Sequence, residues 1–388
     1  MSGALRALEG VRVLDMTRLL PGPFCSRVLV DLGAQVDKLE DVGPGDYLRG
    51  MPPTVERDGE ECNAAFELLN VGKRSLALDL KSAEGRELFL QIAGTYDVVL
   101  ESFRPGVLTR LGCGPEELLA RHPRLVIVSI TGFGSQGPDA HRAGHDLGYL
   151  ARAGVLGVSG PADAPPAVPG VQMADIGAGL WAVIGALAAL RDRDRSGHGQ
   201  HIDVSLMESA APFALYALAD VLVGVKDSPR RGAAPLTGGA AVYGTFATAD
   251  GRYVAFASLE PKFLGPFFAD HGLTLGFEVL APGAHQADLR AKLAAVFAGK
   301  SAAEWRAYTA SRDVCLEVVS TPEEWRDDVQ RRVLAGDRDT NKLPMPLGAP
   351  PASAAPRQGQ HSRTVLTDAR VDTDAIATLL ARGVLRES

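Results

Sequence analysis

A chain of 388 residues that is 46% hydrophobic and 22% charged has room for two domains with large cores and is too apolar to be a disordered polymer. Its formal charge of −7 argues against nucleic acid or an anionic membrane as the main partner, and leaves room for a local basic pocket around an anionic ligand. Four scattered cysteines at 25, 62, 113 and 315 lack the close pairing of a disulfide framework or a metal site, so they read as small buried hydrophobes and no metal is expected.

The opening MSGALRALEGVRVLDM has no charged segment followed by a long apolar one. The most apolar later stretch, 173–190, is interrupted by Asp175 and several glycines. A cytoplasmic location is therefore expected. VRVLDM (11–16), a helix from Pro23 to Leu32 behind a Pro-Gly-Pro turn, and QVDKLE (35–40) then give βαβ order. SLALDL (75–80), a helix from Ser82 to Gly94, YDVVLES (96–102) and RLVIVSI (124–130) continue the alternation. Short apolar runs between helices imply a parallel sheet covered on both faces, a Rossmann-like open architecture. The dinucleotide fingerprint is absent, because the first strand runs into TRLLPGPF. TGFGSQGP (131–138) follows a strand, but its glycines suit an ordinary turn as well as a phosphate loop.

A glycine- and alanine-rich helix (174–191), the turn RSGHGQ (195–200), the strand HIDVSL (201–206) and a helix from Met207 to about Val223 follow. The composition of DSPRRGAAPLTGG (227–239) reads as a linker. From Val242 onward a hairpin is expected with Asp250-Gly251 at its turn, then helices around 283–299 and 301–312. A Pro- and Ala-rich stretch (343–359) should run extended before a last short helix at 372–381. These readings divide the chain into a large domain begun by 1–225, a linker at 226–241, a small α+β domain at 242–325, and a return segment at 326–388 that completes the large domain.

Several segments together resemble the superfamily that contains the α-methylacyl-CoA racemases and the class III CoA-transferases. They are GPFCSRVLVDLGAQV (22–36), NVGKRSLALDLK (70–81), DVVLESFRPGVLTRLG (97–112), TGFGSQGP, AGHDLGYLARAGV (143–155), ADIGAG (174–179), SGHGQHIDVSLMES (196–209), YGTFATADGRYVAFASLEPKF (243–263) and GQHSRTVL (359–366). The resemblance implies a Rossmann-like large domain, a smaller domain, and two subunits interlocked in an obligate homodimer. Motifs of the racemase branch, AGHD-like, AD-[FI]-G-like and EP-[QK]-F-like, fall on His145, Asp175 and Glu260. The transferase branch keeps the aspartate and generally lacks the histidine, so His145 favours the racemase. The alternative is a CoA-transferase with Asp175 as nucleophile. Transferases tend to carry a longer glycine-rich loop than the Gly238-Gly239 found here.

Inverting C2 of an acyl-CoA needs two acid/base groups on opposite faces of one carbon, each able to give and take a proton. Histidine suits this because its ordinary pKa lies near working pH. Asp175 would need partial desolvation to become a competent base. The resemblance implies that N–H groups at a helix N-terminus stabilise the enolate, a role that the helix start near Asp175 fits, and Glu260 is expected to fix the tautomer of His145. The resemblance further assigns coenzyme A, carried by the substrate and not a resident cofactor, to Lys38, Leu78, Leu80, Ser102, Phe103, Arg104, Arg110 and Asp146. One departure stands out: where the best-known racemases have an arginine shortly after the second strand, this chain has Asp41.

Overall fold

The computed structural model describes residues 5–57, 59–225, 231–276, 278–281, 283–332 and 353–388. Along the chain the strands are β1 (Arg12–Asp15), β2 (Gln35–Glu40), β3 (Thr54–Arg57), β4 (Glu60–Asn63), β5 (Arg74–Leu78), β6 (Val98–Glu101), β7 (Val126–Thr131), β8 (His201–Ser205), β9 (Tyr243–Ala247), β10 (Tyr253–Ala257), β11 (Leu316–Val318) and β12 (Leu385–Arg386). The described residues separate into two compact units, one drawn from within 1–150, 171–210 and 339–388, the other from within 151–170 and 211–338.

The first unit is built on a seven-stranded sheet in the order β12-β5-β2-β1-β6-β7-β8. Every pairing is parallel except that of β12 with β5. β6 and β7 are buried along their whole length, as continuous apolar runs covered on both faces should be. One face packs Leu14, Leu39, Leu76 and Val99 against Leu88 and Phe89 of the Ala83–Ala93 helix, Leu118 of the Pro115–Arg121 helix, and Val365 and Ile376 from the chain's end. Helices Pro21–Asp31 and Met173–Ser196 pack on the sheet and on each other, and Gly179 makes the close approach possible. A Cβ there would stand 2.7 Å from the Phe24 ring and 2.8 Å from the Pro21 carbonyl oxygen.

The Met173–Ser196 helix is long and apolar enough to cross a membrane, but half of that apolar window is buried against the protein, consistent with the core helix of a sheet. From β1 the chain steps outward through β2 to β5, then returns to lay β6 on the other side of β1 and continues to β7 and β8. The strand order therefore reverses between β1 and β6. In open parallel sheets, ligands bind beyond the carboxyl ends of the strands that flank such a reversal.

The second unit holds the antiparallel sheet β11-β10-β9 and the helices Pro261–Asp270, His285–Ala298 and Ala302–Thr309. Its core is aromatic, with Phe246, Phe256, Phe267, Phe297 and Trp305 in mutual ring contact. The β9–β10 hairpin turns at Gly251, whose φ of +73° favours glycine.

Two expectations differ from the structure. The helix read from Met207 to Val223 is broken into Leu206–Ala210, a 3₁₀ turn at Ala211–Ala214, and Leu215–Leu222, because Pro212 can neither donate to the ladder nor avoid the preceding carbonyl. The second unit also takes up 151–170 and begins again at 211, not at 242. Arg231 helps tie these segments together, donating to the carbonyls of Pro161 and Ala164. Of the expected linker, 226–230 lies outside the described residues, as does 343–352 of the Pro-rich stretch.

Candidate active site

The loops that leave β1 and β6 meet at the reversal. Beyond β6, the Glu101 carboxylate accepts the Phe103 N–H at 2.7 Å and bends the chain so that Ser102, Phe103 and Arg104 leave the sheet in one turn. Burial lifts the Glu101 carboxyl to about 7. The Ser102 hydroxyl accepts the N–H of Arg18 at 3.3 Å, and the Arg18 guanidinium lies over the Phe103 ring. Gly106 follows in the left-handed region, and a Cβ there would stand 3.3 Å from the guanidinium of Arg110. Arg104 and Arg110 are both exposed, open to an anionic ligand.

The other expected coenzyme A contacts divide differently. Leu78 and Leu80 send their side chains into the sheet core, so only their backbone could serve a ligand. Lys38 is corrected outright. Its side chain is 0% exposed, and its ammonium is held by Asp46 at 2.9 Å and donates to the Thr17 carbonyl at 2.8 Å. It is a buried structural cation, out of reach of a phosphate arriving from solvent.

His145 and Asp175 come from segments that the first unit ties together. The carbonyl of His145 opens the Asp146–Arg152 helix by accepting the N–H groups of Gly148 and Tyr149. The next side chain, Asp146, reaches the start of the Met173–Ser196 helix, where its Oδ1 accepts the N–H groups of Ala174 at 2.7 Å and Asp175 at 3.1 Å. Asp146 is thus the side chain that couples the histidine loop to the aspartate helix. Because it engages those two donors, they are not available to an enolate, and that expectation is withdrawn for Ala174 and Asp175.

Tyr149 fills the space beneath. A Cβ on Gly132 would stand 2.7 Å from its hydroxyl, and a Cβ on Gly144 2.6 Å from its ring. The glycines of TGFG and AGHD are therefore seats for one tyrosine, while Gly134 and Gly137 make left-handed turns. Phe133 meets the same ring edge-on at 5.1 Å. Burial and the Asp175 carboxylate raise the Tyr149 phenol, and the Arg104 charge opposes them. Arg18 and Tyr149 were not singled out in the sequence, although Tyr149 lies within the AGHDLGYLARAGV motif and Arg18 lies in the TRLLPGPF run after the first strand.

Asp175 is half-buried, and desolvation, followed by the neighbouring Asp146 carboxylate, raises its carboxyl to about 6. At pH 7 it is mainly ionised, yet its conjugate acid is strong enough to return a proton. The same shift bears on stability. A carboxyl held at about 6 in the fold and near 3.9 when unfolded loses stability for the native state as pH rises from 4 through 6. Asp175→Asn should therefore stabilise the protein by about 1–3 kcal/mol at pH 7–8, with the difference from wild type vanishing near pH 4. Urea unfolding at the two pH values measures it; an equal effect at both would exclude this cause.

Glu260 lies in the second unit, immediately before the Pro261–Asp270 helix. Its carbonyl accepts the N–H groups of Phe263 and Leu264, and its exposed carboxylate makes no capping bond. Burial, and then this carboxylate, push the Cys315 thiol up. Among the described residues no group of three or more His, Cys, Asp or Glu could hold a metal ion.

Known proteins resemble this chain along most of its length. The chain is 36% identical over 375 residues to an alpha-methylacyl-CoA racemase of Mus musculus, covering 93% of each protein, and 34% identical to the Homo sapiens enzyme with the same coverage. It is 38% identical to a succinyl-CoA:glutarate CoA-transferase of Mus musculus over 261 residues, 67% of this chain and 58% of that one. A CAIB/BAIF family protein from Brucella suis superposes with a TM-score of 0.79 at 30% identity, over 94% of this chain and all of the other. The profile of CoA-transferase family III matches residues 8–364, and the chain belongs to that family.

Proposed function

We propose that this protein is a racemase of 2-methylacyl-CoA thioesters, moving the C2 proton through an enolate between His145 and Asp175. The observation that carries this reading is Asp175 itself. Its carboxyl is raised to about 6 and its helix start is held by the carboxylate of Asp146, the residue next to His145. A carboxyl able to give and take a proton, on a segment fixed to that of a histidine, is what a reversible proton transfer to either face requires. Racemases that match over 93% of both chains support the same choice.

Coenzyme A enters as part of the substrate, with its anionic end near Arg104 and Arg110; no other cofactor and no metal takes part. With Ala174 and Asp175 engaged by Asp146, and Gly148 by the His145 carbonyl, the enolate oxygen is met by the N–H groups of Asp146 and Leu147 at the start of the Asp146–Arg152 helix. Glu260 orients His145 in an interlocked homodimer, where it arrives from the other subunit. Exposed apolar side chains in each unit support a partner of that kind: Leu180, Trp181 and Ile184 in the first, and Phe213, Leu215, Tyr216 and Leu222 in the second. The location is cytoplasmic, and neither nucleic acid nor membrane is a partner.

Incubating the protein with a (2R)-2-methylacyl-CoA in deuterated water should give inversion at C2 with one solvent deuteron incorporated, without added metal or free acid. Turnover that appears only when a carboxylic acid acceptor is supplied would establish the transferase instead, with Asp175 as its nucleophile.

A further inference from the structure

Arg18 leaves β1 at the point where the strand order reverses, and three elements hold its position. Its N–H donates to the Ser102 hydroxyl of the loop after β6 at 3.3 Å. The next residue, Leu19, is held at φ +63°, a conformation uncommon for a non-glycine residue, while its N–H donates to Asp46 at 3.0 Å. The guanidinium lies over the rings of Tyr47 at 4.9 Å and Phe103 at 5.6 Å, donates to the Tyr47 hydroxyl at 2.8 Å, and pairs with Asp41 at 3.0 Å.

The cation is therefore preorganised, yet its side chain keeps 25% of its surface exposed. Lys38, the nearer cation by sequence reasoning, is sealed beneath. Asp41 is occupied elsewhere as well, since its Oδ1 accepts the N–H groups of Gly43 and Gly45. It offers Arg18 a single oxygen where a bidentate anion would offer two.

We infer that Arg18 binds a phosphate of coenzyme A at the β1–β6 reversal, and that Asp41 is its counter-ion. The inference rests on the proposed acyl-CoA activity. It also gives Asp41 a role: the positive charge comes from the loop after β1, and the acid after β2 orients it. A planar guanidinium backed by aromatic rings loses little conformational freedom on binding, which favours an oxyanion with matching geometry.

The test is calorimetric titration of the full chain with coenzyme A and with the same pantetheine arm lacking every phosphate. Arg18→Gln should weaken coenzyme A binding about 10- to 100-fold, the range of one charge-assisted contact, and leave pantetheine binding unchanged. Arg18→Lys, with the charge but not the fork, should fall between wild type and Arg18→Gln.

If wild type binds coenzyme A and Arg18→Gln binds it equally well, the inference is overturned while the acyl-CoA reading stands. An equal loss for coenzyme A and pantetheine would overturn it too, by showing that Arg18 only shapes the loop. If wild type binds no coenzyme A, the acyl-CoA reading fails and this inference fails with it. Matching far-UV circular dichroism of the variants shows that they are folded.

Discussion

His145→Ala should reduce racemisation by about 10²- to 10⁴-fold, the contribution of one positioned acid/base group, while leaving coenzyme A binding within a factor of a few. The side chain is exposed in the described chain, and its structural part is played by its carbonyl, which alanine keeps. A two-group mechanism predicts more than a loss of rate. Asp175 remains, with its raised carboxyl, and can still remove the proton from the face it addresses. One enantiomer of the 2-methylacyl-CoA should therefore continue to exchange its C2 hydrogen with deuterated water but return to the same configuration, while the other exchanges poorly. Asp175→Asn should show the opposite preference. Proton magnetic resonance of each enantiomer, followed in deuterated water, separates exchange from inversion. Inversion at a near-normal rate in His145→Ala would sink the racemase assignment and favour a nucleophilic role for Asp175.

Much of the first unit was legible because its strands are buried on both faces. QVDKLE coincides with β2, the run at 96–102 contains β6, and the runs at 75–80 and 124–130 each overlap an observed strand to within one residue at one end. Periodicity could not give the strand order, yet the order creates the reversal between β1 and β6 and brings Arg18 to Ser102. The short strands were missed for a related reason: β11 has three residues and β12 two, too few to display alternation.

At the site, the motifs located His145 and Asp175, while the roles of their neighbours needed coordinates. Asp146 read alone is a capping residue, and it does cap, but across 28 residues and not its own helix. Gly132 reads as a turn or phosphate-loop glycine and instead, together with Gly144, makes room for Tyr149. Lys38 illustrates the converse, since nothing in QVDKLE distinguishes a phosphate-binding lysine from one paired inside the fold.

Replacing Asp15 by alanine should lower stability by about 3–5 kcal/mol, the usual consequence of removing one partner from a buried ion pair. Asp15 closes β1 with no exposure. It accepts from the Ser26 hydroxyl at 2.5 Å, the Thr17 hydroxyl at 2.5 Å, the Thr17 N–H at 2.9 Å and the Lys73 ammonium at 3.1 Å. Burial alone would raise its carboxyl, but Lys73, Lys38 and the two hydroxyls outweigh burial and hold it well below the usual carboxylate range. A carboxyl depressed in the fold stabilises the native state above its unfolded pKa, and that contribution is lost as pH falls below about 4.

Without Asp15, Lys73 keeps Asn70 and the Pro23 carbonyl as partners but no facing charge from the strand. Its ammonium, already drawn down to about 8 by burial, should then titrate lower still. Adding Lys73→Met to Asp15→Ala should recover part of the loss, because it removes the stranded charge. Urea unfolding of the two single variants and the double variant measures the coupling. A cost below about 1 kcal/mol for Asp15→Ala would show that solvent or rearrangement satisfies the cluster. The effect should also reach the ligand: Thr17 bonds Asp15 on one side and accepts Lys38 on the other, and the next residue is Arg18. At urea concentrations where the variant is still folded, weaker coenzyme A binding should accompany the lower stability.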